Sequence, residues 1–404
     1  MRVLIVTQYF WPENFSINML SKILVKKGLS VDVLTGKPNY PEGVIYSGYE
    51  ACGVGAEKYD GVNIFRVPIL PRGSSNPLRL ALNYLSFVVS GCLLAPWALR
   101  KRKYDVIFVY SPSPISQAVP ALWIGKLRCM PVILWVQDLW PESLEATGYI
   151  ANRRILNAVE RMVKFIYRHV DLLLVQSRAF EGPVSLLASG TPVIYHPNTI
   201  EPEFSLKFDR ELPNIDGLEV GFPIVFAGNI GSGQGLEVVI EAAKLLKNYA
   251  EIRFVIFGSG SKLNWLEQQV AIYKLNNIYL AGRYPSDLMP GFFQKASALL
   301  ITLANKPIFD LTVPNKLQAY MASGRPILAC LNGEGGRIVV EAKAGISISA
   351  GDGSGLAQGI LSLYGMDKNK REQMGDNAKS YFKKNFDSDT LTDKLIAIFK
   401  QYLK

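Results

Sequence analysis

"FAGNIGSGQGLEVVIEAAKLL", residues 226–246, decides how this chain folds. An apolar strand end runs into a turn carrying Gly228, Gly231, Gly233 and Gly235, and a helical period begins at Leu236. Glycines there let the backbone approach a ligand closely, and the helix behind them presents unpaired N–H groups and the positive end of its dipole. A strand, a glycine turn and a helix in that order form half of a crossover unit, which predicts a parallel sheet with covered faces.

The same alternation recurs along the whole chain. In the second half further apolar runs stand at 252–260, 277–283, 296–303, 326–330 and 344–348, and in the first half at 2–6, 30–36, 63–70, 105–111, 131–138, 171–177 and 192–198. Helical periods lie between several of them, as at 18–27 and 153–168. Residues 201–222 are polar, punctuated by proline and without a sustained period, and read as a linker. The expected architecture is α/β: two doubly wound units, 1–200 and 223–386, followed by a terminal helix over 387–404 that packs back on the first. In such sheets a ligand binds outside the carboxyl ends of the strands.

A chain of 404 residues is long enough for two cores, and its 49% hydrophobic share fills both. Its four cysteines, Cys52, Cys92, Cys129 and Cys330, are scattered without metal-ligand spacing and read as free thiols of a reducing compartment. The apolar run at the N-terminus is short and reads as a first strand rather than a leader. Residues 1–200 carry 21 Lys and Arg against 13 Asp and Glu, whereas 201–404 carry 23 against 21. The positive field therefore belongs to the first half, where it suits an anionic surface or a phosphorylated substrate.

A second informative stretch is "TVPNKLQAYMASGRPIL", residues 312–328. Pro314 stands where a helix begins, Gly324 where one stops, and Asn315 and Lys316 sit in a first turn suited to an anion. A dinucleotide reading of the glycine turn would need an acidic residue at the end of the following strand, but that strand ends in Gly258 and Ser259. His169 and His196 are too few and too far apart for a metal site or a catalytic triad. The Asp387-Ser388-Asp389 triplet opens the last helix and reads as a cap, so no metal and no cofactor is expected.

Taken together, "GNIG" with "QGLE", then "LAGR", then "MASGRP" resemble the C-terminal half of GT-B glycosyltransferases of the family-4 type. "QYFWPENFSIN", "VQDLWPES" and "HPNTIE" agree in the first half. More narrowly, "WPENFSIN", "DLWPES", "GNIG…QGLE" and "VPNK" resemble the branch that builds bacterial surface polysaccharides, including O-antigen N-acetyl-L-fucosamine transferases. The resemblance implies two Rossmann-like domains facing each other across a cleft, and sugar transfer with retention from a UDP-sugar to an undecaprenyl-diphosphate-linked saccharide.

Carried over by position, Gly228 and Asn229 match the turn beside the donor diphosphate, with Gly258 at the neighbouring strand end. Gly282 and Arg283 match the loop beside the nucleobase, and Pro314, Asn315 and Lys316 the helix start at the diphosphate. The chain also departs from the pattern. The family's paired glutamates fall on Leu311 and Ala319 when counted from the glycine turn; Asp310 and Gln318 have the same spacing and stand as their replacements on the donor side. The usual lysine of the first glycine turn is replaced by Gln234, which moves the cationic role to Lys316. Asn14, Phe15 and Ser16 occupy the place where relatives have two glycines near the leaving phosphate, and Ser16 can cap the helix that follows. Asp138 is the candidate to orient or deprotonate the acceptor hydroxyl, with Glu142 in reserve.

Residues 78–103, from Leu78 to Lys103, join the most apolar twenty residues of the chain to an "RKRK" run. Arg79, Asn83 and Pro96 argue against a spanning helix, and an interfacial helix on an anionic membrane surface is expected. The reading is thus a cytoplasmic enzyme, peripheral on the inner face of the cytoplasmic membrane, without a nucleic-acid partner. A nucleotide-sugar epimerase of the same fold, or a sugar-nucleotide-binding module without catalysis, is the alternative.

Overall fold

The computed structural model describes residues 1–73, 77–146 and 152–403. Two compact units divide it: residues 1–197 together with 388–404, and residues 198–387.

The first unit is an eight-stranded sheet built from β1 (Arg2–Val6), β2 (Ser30–Gly36), β3 (Gly55–Tyr59), β4 (Val62–Val67), β5 (Val106–Ser111), β6 (Val132–Val136), β7 (Leu172–Val175) and β8 (Val193–Tyr195). Their order is β3-β4-β2-β1-β5-β6-β7-β8, parallel except where β3 runs antiparallel to β4. That hairpin was not expected from sequence; it closes through Asp60 and Gly61, both at positive φ as a tight hairpin turn requires. The central strands are buried except at Arg2, the first residue of β1, which explains their apolar runs.

The second unit has six parallel strands: β9 (Phe222–Ala227), β10 (Ile252–Phe257), β11 (Ile278–Gly282), β12 (Ala298–Thr302), β13 (Ile327–Cys330) and β14 (Gly345–Ile348). They are ordered β11-β10-β9-β12-β13-β14, so the chain starts in the middle, winds outward one way and then the other. The reversal at β9 places the glycine turn of 228–235 at the switch point, where ligands bind in such sheets.

The stretch read as a linker is part of the second unit. Ile200, Ile215 and Leu218 are buried in its core with Val225, Leu299 and Tyr320, which isolated apolar residues on an aperiodic segment can do without revealing a period. The terminal helix, Ser388–Gln401, buries Leu395 and Phe399 in the first unit's core, where Phe399 meets Phe108 edge-on at 5.3 Å between centroids. Lys27 of the first unit pairs with Asp393 of that helix at 2.8 Å.

The Pro77–Ala98 helix is long and apolar enough to cross a membrane by length and composition. Its inner face nevertheless packs on the first unit through Asn83, Phe87, Gly91 and Ala95. Asn83 is fully buried: its Oδ1 accepts from Gln8 Nε2 at 2.7 Å and its Nδ2 donates to the Leu70 carbonyl at 2.6 Å. The opposite stripe, Leu78, Leu82, Leu85, Val89, Leu93 and Trp97, is exposed.

Candidate active site

In the second unit, three strand ends meet in a floor made almost entirely of backbone. The N–H of Gly228 donates to the Phe257 carbonyl at 3.0 Å, and that of Gly258 to the Gly282 carbonyl at 2.8 Å. Gly228 and Gly258 have φ of 144° and 138°, and a methyl on Gly258 would run into the Gly228 carbonyl oxygen. Side chains are therefore excluded where β9 and β10 end. Gly282, at φ 79°, has open space on its Cβ side, and Arg283 beside it is exposed. The loop after Gly228 is pinned to the end of β12 by Ala304 N–H donating to the Gly233 carbonyl at 3.0 Å. The Asn229 amide folds over Gly231 and Gly260.

The helix Asn315–Ser323 begins beside this floor. Pro314 is its N-cap, no side chain caps its first turn, and Gly324 ends it at φ 72°. Tyr320, buried inside the helix, accepts from the Ala227 N–H through its hydroxyl at 2.9 Å, which fixes the helix against the end of β9. Lys316 consequently projects over the floor. Its Nζ is 3.3 Å from where a Cβ on Gly228 would stand, lies 4.2 Å from the centroid of Phe226, and donates to Gln234 Oε1. Burial pushes this ammonium down from 10.5 to about 7. Its partner is a neutral amide, and the ion pairs among the described residues give it no carboxylate.

The other donor-side candidates divide. Asn315 is exposed, its Oδ1 accepting from Asn198 Nδ2 at 2.9 Å. Gln318 is fully buried; with its amide oriented so that both ends are satisfied, the nitrogen donates to the Pro314 and Asn315 carbonyls at 3.1 and 2.8 Å and braces the helix start from within. Asp310, at the end of the short helix Pro307–Asp310, is half-buried with Gly333 closely packed on its backbone.

In the first unit, Asp138 follows β6 and is largely enclosed; burial lifts its carboxyl from 3.8 to about 7. Tyr110 and Tyr167 feel its charge, and both hydroxyls resist ionisation, chiefly through their own burial. Gln137 and Gln176, at the ends of β6 and β7, each keep one buried amide atom without a partner. Glu142 is exposed. Ser16 is the first residue of the helix Ser16–Lys26 and makes no cap; its hydroxyl bonds Tyr110 Oη at 2.8 Å. Phe15 stacks on Tyr9 at 5.4 Å, inside an aromatic group, and Asn14 is exposed.

Two important residues escaped the sequence reading. Glu13 is buried and accepts backbone N–H bonds from Phe10, Asn39 and Tyr40, holding two loops together. Glu334 is buried in a two-pronged pair with Arg337 at 2.7 and 2.8 Å. Of these, only the Glu334 pair, three residues apart on one helix, has a signal in sequence.

One unit carries a backbone floor with a cation over it and the other an enclosed carboxylate, each at the end of parallel strands. Residues 14–199 match the glycosyl transferase 4-like domain and residues 221–366 match glycosyl transferases group 1, so the chain is a glycosyltransferase of the GT-B type. Within that class it is 25% identical over 349 residues to the probable glycosyltransferase WbjE of Pseudomonas aeruginosa, covering 82% of this chain and 83% of the relative. It is also 25% identical over 346 residues to the putative colanic acid biosynthesis glycosyl transferase WcaI of Escherichia coli, covering 80% and 82%. The fold is shared with sucrose-phosphate synthase of Thermosynechococcus elongatus, with a TM-score of 0.77 at 14% identity over 99% and 98% of the two chains. HepE of Anabaena, in complex with UDP, superposes with a TM-score of 0.69 at 14% identity over 99% and 100%.

Proposed function

We propose that this chain moves a sugar from a UDP-sugar to a lipid-linked saccharide in the assembly of a bacterial O-antigen or capsule, working at the inner face of the cytoplasmic membrane. The observation that carries the donor side is Lys316: a cation held over a glycine floor by a neutral partner has its charge available for a diphosphate. The similarity to WcaI, a putative colanic acid biosynthesis glycosyl transferase, supports a polysaccharide product, and HepE was captured with UDP.

In this reading the bond between the sugar's anomeric carbon and the donor phosphate oxygen breaks, and UDP leaves with the electron pair. Lys316 and the start of its helix stabilise that charge as preorganised electrostatics. The acceptor oxygen bonds the anomeric carbon, and Asp138 orients its hydroxyl and receives its proton. No metal is required by these groups, and the configuration is retained. Asp310 accepts hydrogen bonds from donor-sugar hydroxyls; the sugar we nominate is an N-acetylated deoxyamino sugar such as L-fucosamine. Residues 78–103 rest on the anionic membrane surface that supplies the acceptor.

The test is to incubate purified protein with a panel of UDP-sugars, with and without a polyprenyl-diphosphate-linked saccharide, in the presence of a chelator. UDP release that depends on the acceptor is expected. Donor epimers appearing without acceptor, or tight donor binding without any release, would replace this reading with an epimerase or a binding module.

A further inference from the structure

The tether that holds the Pro77–Ala98 helix also organises a group of aromatic and cationic side chains that the donor chemistry leaves unused. Asn83 Nδ2 lies 3.4 Å from Asn39 Oδ1, and the same Asn39 oxygen accepts the backbone N–H of Arg72 at 3.1 Å. The Arg72 guanidinium lies 5.1 Å over the Tyr40 ring. Tyr40 contacts Phe15 at 5.4 Å and Tyr9 at 5.6 Å, which makes a three-ring platform whose Tyr40 edge is 37% exposed and whose Tyr9 floor is buried. Next to Arg72, Gly73 adopts φ 64°, and Arg79 folds over it, Cδ 2.9 Å and Nη1 3.3 Å from where a Cβ would stand. Arg79 thus packs on the glycine that follows Arg72 in the chain, and the ion pairs of the described residues give Arg72 no carboxylate. From the same end runs the exposed stripe Leu78, Leu82 and Leu85, continuing to Trp97.

An apolar track, then two arginines separated by one close-packed glycine turn, then an aromatic platform is the order in which a lipid-linked sugar presents its parts. Guanidinium forks match phosphate oxygens in a way that point charges do not. The C–H face of a sugar ring packs on an aromatic ring, whose negative face attracts it. Bulk anionic lipid needs neither a fork nor rings, and the exposed Lys101 and Lys103 beyond the far end of the helix suffice for it.

We propose that Arg72 and Arg79 bind the diphosphate of a polyprenyl-diphosphate-linked saccharide, with the first sugar on Tyr40 and Phe15 and the lipid along the Leu78–Leu82–Leu85 stripe. This rests on the reading of the acceptor as lipid-linked. It locates the acceptor headgroup on the first unit alone, so donor binding does not depend on it.

The experiment uses the full chain and three probes: geranylgeranyl diphosphate, inorganic pyrophosphate, and vesicles of phosphatidylcholine with phosphatidylglycerol. Arg72→Ala and Arg79→Ala should each weaken geranylgeranyl diphosphate binding at least tenfold, Arg72→Lys should restore it only in part, and Tyr40→Ala should raise the KM for the lipid-linked saccharide with kcat little changed. Vesicle binding should change less than twofold, inorganic pyrophosphate should bind far more weakly than the prenyl compound, and UDP binding should match wild type, which also reports an intact fold. Equal loss of vesicle and geranylgeranyl diphosphate binding would assign the arginines to bulk lipid and overturn the site. Unchanged binding in both arginine variants would overturn it as well, while leaving the lipid-linked acceptor standing. A wild-type protein that binds no geranylgeranyl diphosphate, yet transfers to a soluble saccharide, would remove the lipid-linked reading itself.

Discussion

If Lys316 is the charge that meets the donor diphosphate, binding must be linked to a proton. In the free protein burial holds its ammonium at about 7, against 10.5 for an unperturbed lysine. A diphosphate against Nζ restores the preference for the charged form, so above pH 7 the complex takes up a proton that the free protein lacks. For a pKa near 7, roughly half of the molecules are charged at pH 7 and about one in ten at pH 8, so UDP affinity should fall about fivefold over that interval and about 0.9 proton should be taken up per UDP at pH 8. A terminal phosphate titrating near 6 is about nine-tenths ionised at pH 7 and nearly completely so at pH 8, which changes affinity by only about a tenth over this range. Calorimetric titration of UDP at pH 8 in phosphate and in Tris separates the proton from the binding heat. Lys316→Met should abolish both the uptake and the pH dependence. The sign for stability is opposite to that of a surface lysine: the unfolded chain binds more protons between pH 7 and 10.5, so the free protein gains stability as pH rises through that window, and Lys316→Met should raise Tm at pH 7. Uptake below about 0.2 proton in the wild type, or the same uptake in Lys316→Met, would refute the assignment.

Gly258→Ala should abolish UDP binding at any pH, because its methyl runs into the Gly228 carbonyl; calorimetry showing wild-type affinity would mean the floor is not close-packed. Asp138→Asn should remove transfer yet stabilise the protein: burial raises the carboxyl from 3.8 to about 7, so the folded form loses stability as pH rises through that window, and Tm at pH 8 should increase with UDP binding intact. A fall in Tm at pH 8 would contradict the burial argument. In the basic run, Arg100→Ser, Lys101→Ser and Lys103→Ser together should weaken binding to anionic vesicles at low salt, by about 1 kcal/mol per charge at the surface. Arg102→Ser should instead lower Tm, because Arg102 faces the fully buried Asp32 at 3.4 Å; denaturation and vesicle sedimentation of both variants distinguish the two roles.

Periodicity made both sheets legible, because a strand buried on both faces is an apolar run and little else. It missed β3, where "GAEKY" is half-exposed at a sheet edge and carries no apolar pattern. It misassigned 201–222, because irregular chain can fill a core with single residues such as Ile215 and Leu218. Glu13 shows the harder limit: its carboxylate is committed to N–H groups up to 27 residues away, and nothing local to it announces a buried strut. For the donor side we propose, the sequence offers candidate positions but not their electrostatics. Gln234 reads in sequence as a lost cation; in the structure its amide oxygen accepts from Lys316, 82 residues on. An amide oxygen accepts a hydrogen bond from the ammonium and holds it over Gly228 without neutralising it. A carboxylate at the same place would form a permanent pair, lift the lysine's pKa and leave an incoming diphosphate to compete with it. In the proposed reading, Gln234 and the cation at Lys316 are therefore one feature: the charge stands at the helix start, and the loop aims it.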